Sequence, residues 1–323
     1  LVSGHTYLSQ VWVIDARSGA DSRTETVTGG GGNTVTLDYT NSNSAGGLGQ
    51  FSIGRFAANA TTQALTLTGN SSTQLNAIQV RDVTNIGAWV GTGGATWDAG
   101  TTSNFASNLY SAPLVTTDFA TAKAPLNSVT FGDTYWNSGA TTAVSQNSVT
   151  VAAGGVSTGM VYFENSSVNY TVGSSDANGI TGATAVQKTG TGTLTLTGTH
   201  SYTGGTELLA GTVSVGAMSG IGTGYLAVKT GSTFQYTGSG SETTTRTLWL
   251  DNGASTFDIS NASGSLTWNA SGGTRSQAFT KTGSGTLTMG GAFSGGASVT
   301  ANGGTLILST ANSYTGGTTV TSG

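Results

Sequence analysis

Acidic residues are the first candidates for chemistry, because paired carboxylates hydrolyse glycosides and bind calcium. The chain is only 7% charged, and Asp15, Asp21 and Glu25 come nearest to forming an acidic cluster. Asp15 and Asp21 are therefore the candidate ligands for Ca²⁺. Arg17 and Arg23 follow these two aspartates closely in the sequence. We favour loop ion pairs over a metal site or a glycosidase pair.

Histidine and cysteine give weaker signals. The chain has two histidines and no cysteine, which excludes disulfides and cysteine-based metal sites. His5 has no other histidine near it in the sequence. His200 lies in a turn of an internal repeat where the second copy has Ala311, and a turn residue that varies between copies predicts a surface loop rather than a ligand. Since there is no serine nucleophile elbow either, we predict no catalytic residues, no cofactor and a protein that is not an enzyme.

Aromatic side chains suggest a different function, the stacking of sugar rings. Trp12 and Trp97 are the candidates, although tryptophan in short strands more often belongs to the core. Six Asn-x-Ser/Thr sequons could accept glycans, but such triplets arise readily by chance in a chain rich in asparagine and threonine. The sequons begin at Asn59, Asn70, Asn165, Asn169, Asn261 and Asn269.

The charge and hydropathy of the chain limit its partners. The net charge is −4, so no basic excess is available to neutralise the phosphates of nucleic acid. No run approaches the roughly 18 apolar residues that a membrane-crossing helix needs. We expect no nucleic acid and no membrane span in this segment, and we expect the partners to be other copies of the chain or surface glycans.

Composition favours an all-β fold. Lysine, arginine and glutamate are scarce, whereas threonine is abundant and 52 glycines suit strands joined by tight turns. In residues 1–85, strand-like runs separated by glycine-rich turns predict a β-sandwich or jelly-roll-like module. In residues 86–180 the looser spacing predicts a β-rich lead-in that covers the open end of the next domain.

An internal repeat organises residues 181–323. The sequence KTGTGTLTL at 188–196 recurs as KTGSGTLTM at 281–289, and SYTGGT at 201–206 recurs unchanged at 313–318. Within each copy, a Gly-Thr-aliphatic triplet recurs after 19 residues, from Gly192 to Gly211 and from Gly285 to Gly304. Short strands with this period predict a β-solenoid, or β-helix, with rungs of about 19–20 residues. An antiparallel meander is the alternative.

The 19-residue shift also predicts a register. Successive side chains of a strand alternate, so the aliphatic residues face inward and the threonines between them face water. Glycine pairs after the tyrosines allow turns that a Cβ atom would oppose. The predicted inward stacks are Leu194 on Val213, Leu196 on Val215, Leu287 on Leu306 and Met289 on Leu308. The predicted turn residues are Tyr202, Gly204, Gly205, Tyr314, Gly316 and Gly317.

These segments resemble a known family. Residues 188–206, continued by 210–216, are similar to the autotransporter-associated β-strand repeat, and residues 281–288 and 311–318 resemble it again. The segments 94–98 and 129–133 resemble what precedes this repeat in very large surface proteins of environmental bacteria. The resemblance implies a secreted, surface-displayed passenger that is structural or adhesive, and it supplies no catalytic residues.

We therefore expect a structural component of an extracellular fibre or cell-surface coat, whose units join end to end through strand pairing. The chain starts at Leu1 without methionine and stops in mid-pattern, so we also expect a longer precursor. The alternative is a carbohydrate-binding adhesin in which residues 1–85 bind sugar and the solenoid is the stalk.

Overall fold

The chain folds as two compact units, Leu1–Thr84 and Asn85–Gly323. The computed structural model describes residues 1, 3, 6–13, 24–28, 34–38, 50–70, 73–82, 86–98, 102, 104–107, 115–117, 128–137, 140–251, 253–269 and 276–322. These residues form strands, turns and one short 3₁₀ helix, Met218–Ile221, but no α-helix. The predicted all-β class is confirmed. In the same residues, no helix has the length and hydropathy to cross a membrane.

The first unit contains two antiparallel sheets of three strands each. Their order is β4-β1-β6 in one sheet and β3-β2-β5 in the other. Val11 and Val13 of the first sheet join Val27 and Leu37 of the second in one buried cluster, so the sheets share a core, as in a β-sandwich. The strands are β1 Thr6–Val13, β2 Thr24–Thr28, β3 Thr34–Asp38, β4 Gln50–Ala57, β5 Thr66–Gly69 and β6 Ala77–Asp82.

The second unit is a β-solenoid in which the chain returns repeatedly to the same sheets. A nine-stranded sheet has the order β10-β9-β7-β11-β16-β19-β21-β23-β26. From β7 to β26 its neighbouring strands are parallel, whereas β9 and β10 are antiparallel additions at one end. The strands are β7 Ile86–Trp89, β9 Phe105–Ser107, β10 Val115–Thr117, β11 Ser128–Phe131, β16 Met160–Phe163, β19 Ala185–Lys188, β21 Thr206–Leu208, β23 Leu226–Lys229 and β26 Leu248–Asp251.

A ten-stranded parallel sheet forms a second face of the solenoid. Its order is β33-β31-β29-β27-β24-β22-β20-β17-β14-β8. The strands are β8 Thr96–Trp97, β14 Ser148–Val151, β17 Tyr170–Ser174, β20 Thr193–Leu196, β22 Thr212–Val215, β24 Thr233–Tyr236, β27 Ser255–Ile259, β29 Phe279–Thr282, β31 Val299–Asn302 and β33 Thr318–Ser322.

A four-stranded parallel sheet forms a third face, in the order β25-β28-β30-β32. Two small sheets complete the unit, the antiparallel pair β12-β13 and the parallel pair β15-β18. These strands are β12 Thr134–Asn137, β13 Ala140–Ala143, β15 Val156–Ser157, β18 Ile180–Thr181, β25 Ser241–Thr244, β28 Ser265–Trp268, β30 Thr286–Met289 and β32 Thr305–Leu308.

The interior of the solenoid consists of apolar columns that run from strand to strand. In the ten-stranded sheet, Val213 pairs with Leu194 on one side and Phe234 on the other, and all three are fully buried. Each such burial stabilises the fold by roughly 1.5–3 kcal/mol. In the nine-stranded sheet, Phe131 and Phe163 are register partners and their rings stack with centroids 4.8 Å apart. The predicted β-solenoid is confirmed, with about seven turns from residue 148 onward.

The domain boundary that we predict at residue 180 does not divide the sheets. Strand β16 pairs with β19, and β17 pairs with β20, so both main sheets continue across this position. Residues 148–180 already form parallel rungs, and their strands β14 and β16 alternate buried and more exposed residues as the strands of the repeats do. The separation between the two compact units, at Thr84 and Asn85, lies next to the other predicted boundary.

Candidate functional site: the corners of the repeat

The structure brings together the residues that the 19-residue shift pairs in the sequence. Leu194 lies opposite Val213 and Leu196 opposite Val215 in the ten-stranded sheet. Leu287 lies opposite Leu306 and Met289 opposite Leu308, but in the four-stranded sheet. The two copies therefore contribute to different columns, and they do not form one continuous column through both.

Each copy begins with a lysine that is buried, although lysine side chains usually lie at the surface. Lys188 is fully buried, and its register partners are Phe163 and Leu208, so it occupies an inward apolar column. Its ammonium group donates hydrogen bonds to the carbonyl of Asn165, at 3.2 Å, and to the carbonyl of Gly190. Burial lowers the pKa of Lys188 to about 8, while the nearby charge of Asp133 acts in the opposite direction.

Lys281 repeats this arrangement in the second copy. It is fully buried between its register partners Phe257 and Ala301. Its ammonium group donates to the carbonyls of Gly283, at 2.6 Å, and Gly303, at 2.9 Å. In both copies the aliphatic stem fills an apolar position and the charged end binds carbonyl groups of two successive turns. The lysine thus ties each glycine corner to a neighbouring turn.

The alternation of inward and outward side chains along each strand predicts the burial of these lysines. In β19, Val186 faces inward, so the residue two positions later must face inward as well. In β29 the same argument from Phe279 places Lys281 inside.

The predicted tyrosines close the next corner of each copy. The hydroxyl groups of Tyr202 and Thr206 are 2.7 Å apart, and those of Tyr314 and Thr318 are 2.5 Å apart. Tyr202 is fully buried, and this burial raises the pKa of its phenol well above the usual range. The hydroxyl pair satisfies a polar group that would otherwise be costly inside the solenoid.

The glycine pairs are required by space and by backbone conformation. A Cβ atom on Gly204 would lie 2.6 Å from the carbonyl oxygen of Thr184, and one on Gly316 would lie 2.4 Å from that of Ala297. Gly205 and Gly317 have φ angles of +90° and +84°, which L-residues with a side chain rarely adopt. The corners therefore allow the chain to approach the preceding turn closely.

The structure contradicts two predictions about His200. It is 1% exposed and not part of a surface loop, because successive turns cover the corners of a solenoid. Its Nδ1 atom accepts the backbone N–H of Ile180 at 3.0 Å. Burial lowers the pKa of His200 to about 4, although the carbonyls of Val172 and Thr197 favour its protonated form.

The residue equivalent to His200 is Asn312, not Ala311, because Ser201-Tyr202 and Ser313-Tyr314 align without a gap. Asn312 accepts the backbone N–H of Phe293 at 2.7 Å. His200 and Asn312 thus each accept a backbone N–H group at the equivalent corner of their copies.

A carboxylate organises the turn next to Lys188. Asp133 accepts the backbone N–H groups of Ser166, Ser167 and Val168 at 2.9–3.1 Å. Although partial burial opposes the effect, these hydrogen bonds hold the pKa of Asp133 below its usual value. Asn165 in this turn begins a sequon, but it is fully buried and donates to the carbonyls of Val168 and Thr193. Its amide is therefore inaccessible in the folded chain.

The remaining candidates from the sequence are not brought into a common site. Asp15, Asp21 and His5 lie outside the described residues. Glu25 is buried and accepts the backbone N–H of Gln74 at 2.7 Å. Trp97 is fully buried in the solenoid core and cannot stack on a sugar. Across the described parts of the chain, no group of three or more histidine or acidic side chains could hold a metal ion.

The comparison with protein families matches three segments of the solenoid. Residues 186–215, 279–301 and 301–323 match the family described as passenger-associated-transport-repeat. The first segment contains Lys188 and Tyr202, and the other two contain Lys281 and Tyr314. The searches of curated proteins and of solved structures found no match.

Proposed function

Three segments of the C-terminal β-solenoid are passenger-associated transport repeats of the autotransporter type, and from this premise we propose that the chain is a structural segment of a surface-displayed fibre or coat that assembles end to end. The repeat family points to a passenger that is secreted to the cell surface. The structural role and the mode of assembly are our proposal.

The observation that supports this proposal best is that the polar groups inside the solenoid form hydrogen bonds between its turns. The buried Lys188 and Lys281 and the partly buried Arg246 donate to backbone carbonyls of neighbouring turns, and the buried Tyr202 bonds within its own corner. Buried polar groups that serve catalysis point into a cleft that a substrate can enter. Here they hold successive turns of the chain together, which supports a structural role.

The geometry of parallel sheets supports the proposal of end-to-end assembly. The strand at the end of a stack presents backbone N–H and C=O groups that another strand can pair with. A second copy that adds its strands there continues both the hydrogen-bond ladder and the apolar columns. Because such a head-to-tail contact joins two different surfaces, it does not close on itself and produces a filament.

Electron microscopy of the purified chain at increasing concentration tests this proposal. We expect filaments whose length grows with concentration, and light scattering should follow the same increase. Isolated globular particles at all concentrations would contradict end-to-end assembly.

A matched pair of variants locates the contact. Val320 on β33 is 70% exposed, so Val320→Lys should leave the fold intact and shorten the filaments, because charge on a strand edge opposes pairing. Thr141→Lys, at an exposed position in the antiparallel β12-β13 sheet, is the control and should have no effect. If both variants form filaments of normal length, assembly runs through the sides of the solenoid.

A carbohydrate-binding adhesin is the second candidate, and Trp249 is the observation that favours it. This residue is 44% exposed on the outward face of β26, where its register partner is Ala227. An exposed indole ring is suited to stacking on a sugar. A glycan array with the wild-type chain and Trp249→Ala tests this function, and Trp12→Ala tests the predicted site in residues 1–85. Absence of binding to every glycan would remove the candidate.

A further inference from the structure

A buried amide and a buried amine lie together where the first copy of the repeat begins. Asn165 and Lys188 are both fully buried, and the ammonium nitrogen of Lys188 lies 3.2 Å from the backbone carbonyl oxygen of Asn165. The side-chain amide of Asn165 donates to the carbonyls of Val168 and Thr193. Its oxygen, Oδ1, is buried and has no hydrogen-bond partner among the residues that the structure describes. Because an unpaired polar atom is costly inside a protein, the hydrogen bonds alone do not explain why an amide stands here.

The second copy of the repeat has an aliphatic side chain at the equivalent position. Lys188 and Lys281 each pair with a phenylalanine of the preceding turn, and the residue two positions after that phenylalanine is Asn165 in the first copy and Ile259 in the second. Both residues are fully buried, and the carbonyl of each accepts the N–H group of the glycine four residues after the lysine. The corner can therefore form without an amide, and the asparagine is a feature of the first copy.

The amine of Lys188 has the properties of a nucleophile. Its register partners, Phe163 and Leu208, are apolar. Burial lowers the pKa of Lys188 to about 8, so a large fraction of the amine is neutral in mildly alkaline solution. A neutral lysine amine that is shielded from water attacks carbonyl carbons. Two of the three N–H positions of the ammonium group are directed to the carbonyls of Asn165 and Gly190, which leaves one position for the lone pair of the neutral form.

The other titratable groups around this corner favour the charged lysine only weakly. Asp133 accepts the N–H groups of the three residues that follow Asn165, and its charge favours the ammonium form of Lys188. Burial raises the pKa of the Tyr170 phenol above its usual range, so this group stays uncharged. Glu164 is exposed to solvent. The desolvation of the amine therefore outweighs the one opposing charge.

We propose that Lys188 and Asn165 form an intramolecular isopeptide bond. Nζ of Lys188 attacks Cγ of Asn165, a new C–N bond forms, the bond from Cγ to Nδ2 breaks, and Nδ2 leaves as ammonia. The lysine ammonium gives up two protons, one before the attack and one as the new amide forms, and both depart on the leaving nitrogen as ammonium. Atoms and charge balance without an oxidant, a reductant or another reactant.

The position of the lysine favours this reaction over others. The nitrogen already contacts the backbone carbonyl of Asn165, and the flexible four-carbon stem of lysine can turn it to the side-chain carbonyl of the same residue. Burial keeps water from hydrolysing the product. The bond ties β16 to β19 in a chain that has no cysteine and so no disulfide. Only a chain that has not yet formed the bond retains a titrating Lys188.

Mass spectrometry of the intact chain, unfolded after incubation in its folded state, tests this inference. After incubation at pH 9 the wild type should be lighter than its sequence mass by one molecule of ammonia, and at pH 6 the change should be far slower because the lysine is protonated. Proteolysis after acidic residues separates residues 165–176 from residues 177–207 in the unlinked chain. In the linked chain the two peptides should be recovered as one branched product that is lighter by the same ammonia.

Three variants assign the reaction to these two side chains. Asn165→Ile, which introduces the residue of the second copy, and Lys188→Met, which keeps an apolar stem, should both retain the full sequence mass. Lys281→Met removes the other buried lysine and should lose ammonia as the wild type does. Because an asparagine that cyclises to a succinimide also releases ammonia, a loss that persists in Lys188→Met would belong to that reaction.

Two outcomes would overturn the proposal. One is a folded wild-type chain that keeps its full sequence mass after prolonged incubation at pH 9. The other is a loss of ammonia that remains in Lys188→Met or Asn165→Ile. The wild-type measurement decides by itself if a variant fails to fold. Since the mass is measured on unfolded single chains, its outcome is separate from that of the filament experiment.

Discussion

The two copies of the repeat share a sequence but occupy different faces of the solenoid. In the first copy, the strand with Lys188 lies in the nine-stranded sheet and the strand with Leu194 in the ten-stranded sheet. In the second copy, the strand with Lys281 lies in the ten-stranded sheet and the strand with Leu287 in the four-stranded sheet. The repeat therefore specifies a strand, a glycine corner and a second strand, but not the face on which they lie.

The segment between the copies explains the shift. The four-stranded sheet begins there, at β25, and β24, β25 and β26 follow one another through all three sheets. The second copy then continues from a position one face further along. Its corner contacts are nevertheless the same, because the lysine still donates to the glycine carbonyl two residues later and the tyrosine still bonds the threonine four residues later.

The largest effect should come from a charge placed in the apolar columns of either copy. Leu194 and Leu287 are both fully buried, so Leu194→Asp and Leu287→Asp should each cost at least about 4 kcal/mol, from the lost burial and the unpaired charge. Urea unfolding measures the loss. Thr195→Asp and Thr288→Asp, on the outward face of the same strands, are the controls and should change stability little. Equal losses at positions 194 and 195 would mean that the register is wrong.

A smaller effect should separate the equivalent glycines of the two copies. Gly205 and Gly317 both have positive φ angles, but a Cβ atom at Gly205 would lie 2.5 Å from the ring of Tyr225, whereas at Gly317 it would meet nothing within 4 Å. We expect Gly317→Ala to cost about 1 kcal/mol from backbone strain alone. Gly205→Ala should cost about 2–4 kcal/mol, since overpacking is added. If both variants lose the same melting temperature, backbone strain alone accounts for the cost and overpacking at Gly205 contributes nothing.

Periodicity made the repeats predictable from the sequence. A period of 19 residues with alternating Leu and Thr sets which residues stack, and the parallel sheets contain those pairs. The face on which each copy lies was not predictable, since the repeat is a local unit and the face depends on all the turns before it. The continuation of both main sheets across residue 180 has a related cause, because residues 148–180 form similar rungs from a sequence that lacks the repeat motif.

The polar residues of the corners were harder to predict than the columns. The prediction of a surface position for His200 rests on its place in a turn, since turns usually lie at the surface. In a solenoid the next turn covers the corner, so burial depends on a neighbour that is distant in sequence. The residue type of Lys188 does not predict its burial, because lysine is rarely buried. Only its position two residues after the buried Val186 in β19 indicates that it faces inward.

The buried lysines should make the stability of both copies depend on alkaline pH. Burial lowers the pKa of Lys188 to about 8, below the value of about 10.4 in an unfolded chain. Between these pH values the unfolded chain binds more protons, so stability should rise with pH by roughly 1–3 kcal/mol. Lys188→Met should lose this rise. Lys281→Met should lose part of it as well, because burial also lowers the pKa of Lys281.

Tyrosines also ionise in this range, so the informative quantity is the difference in unfolding free energy between the wild type and each variant, measured from pH 7 to pH 10.5. Lys229→Met, at a partly exposed position at the end of β23, is the matched control. If Lys188→Met keeps the full rise, the buried ammonium is not its source.

The smallest effect at neutral pH should come from exchanging the corner residues of the two copies. His200→Asn puts the asparagine of the second copy into the first, where its amide oxygen can accept the N–H of Ile180 as Asn312 accepts that of Phe293. At pH 7 we therefore expect less than about 1 kcal/mol of destabilisation.

In acid, His200→Asn should become the more stable of the two proteins. The pKa of His200 is about 4 in the folded chain, against about 6.5 when unfolded. Its contribution to stability is complete above pH 6.5 and is lost as the pH falls toward 4, because the unfolded chain takes up the proton first. His200→Asn should lose less stability over this interval, whereas the losses that come from Asp133 and Asp176 lie at lower pH and affect both proteins alike. The measurement is the free energy of unfolding of the wild type and of His200→Asn as the pH falls from 6.5 to 4. If the two curves run parallel, the protonation of His200 does not affect stability and this prediction is wrong.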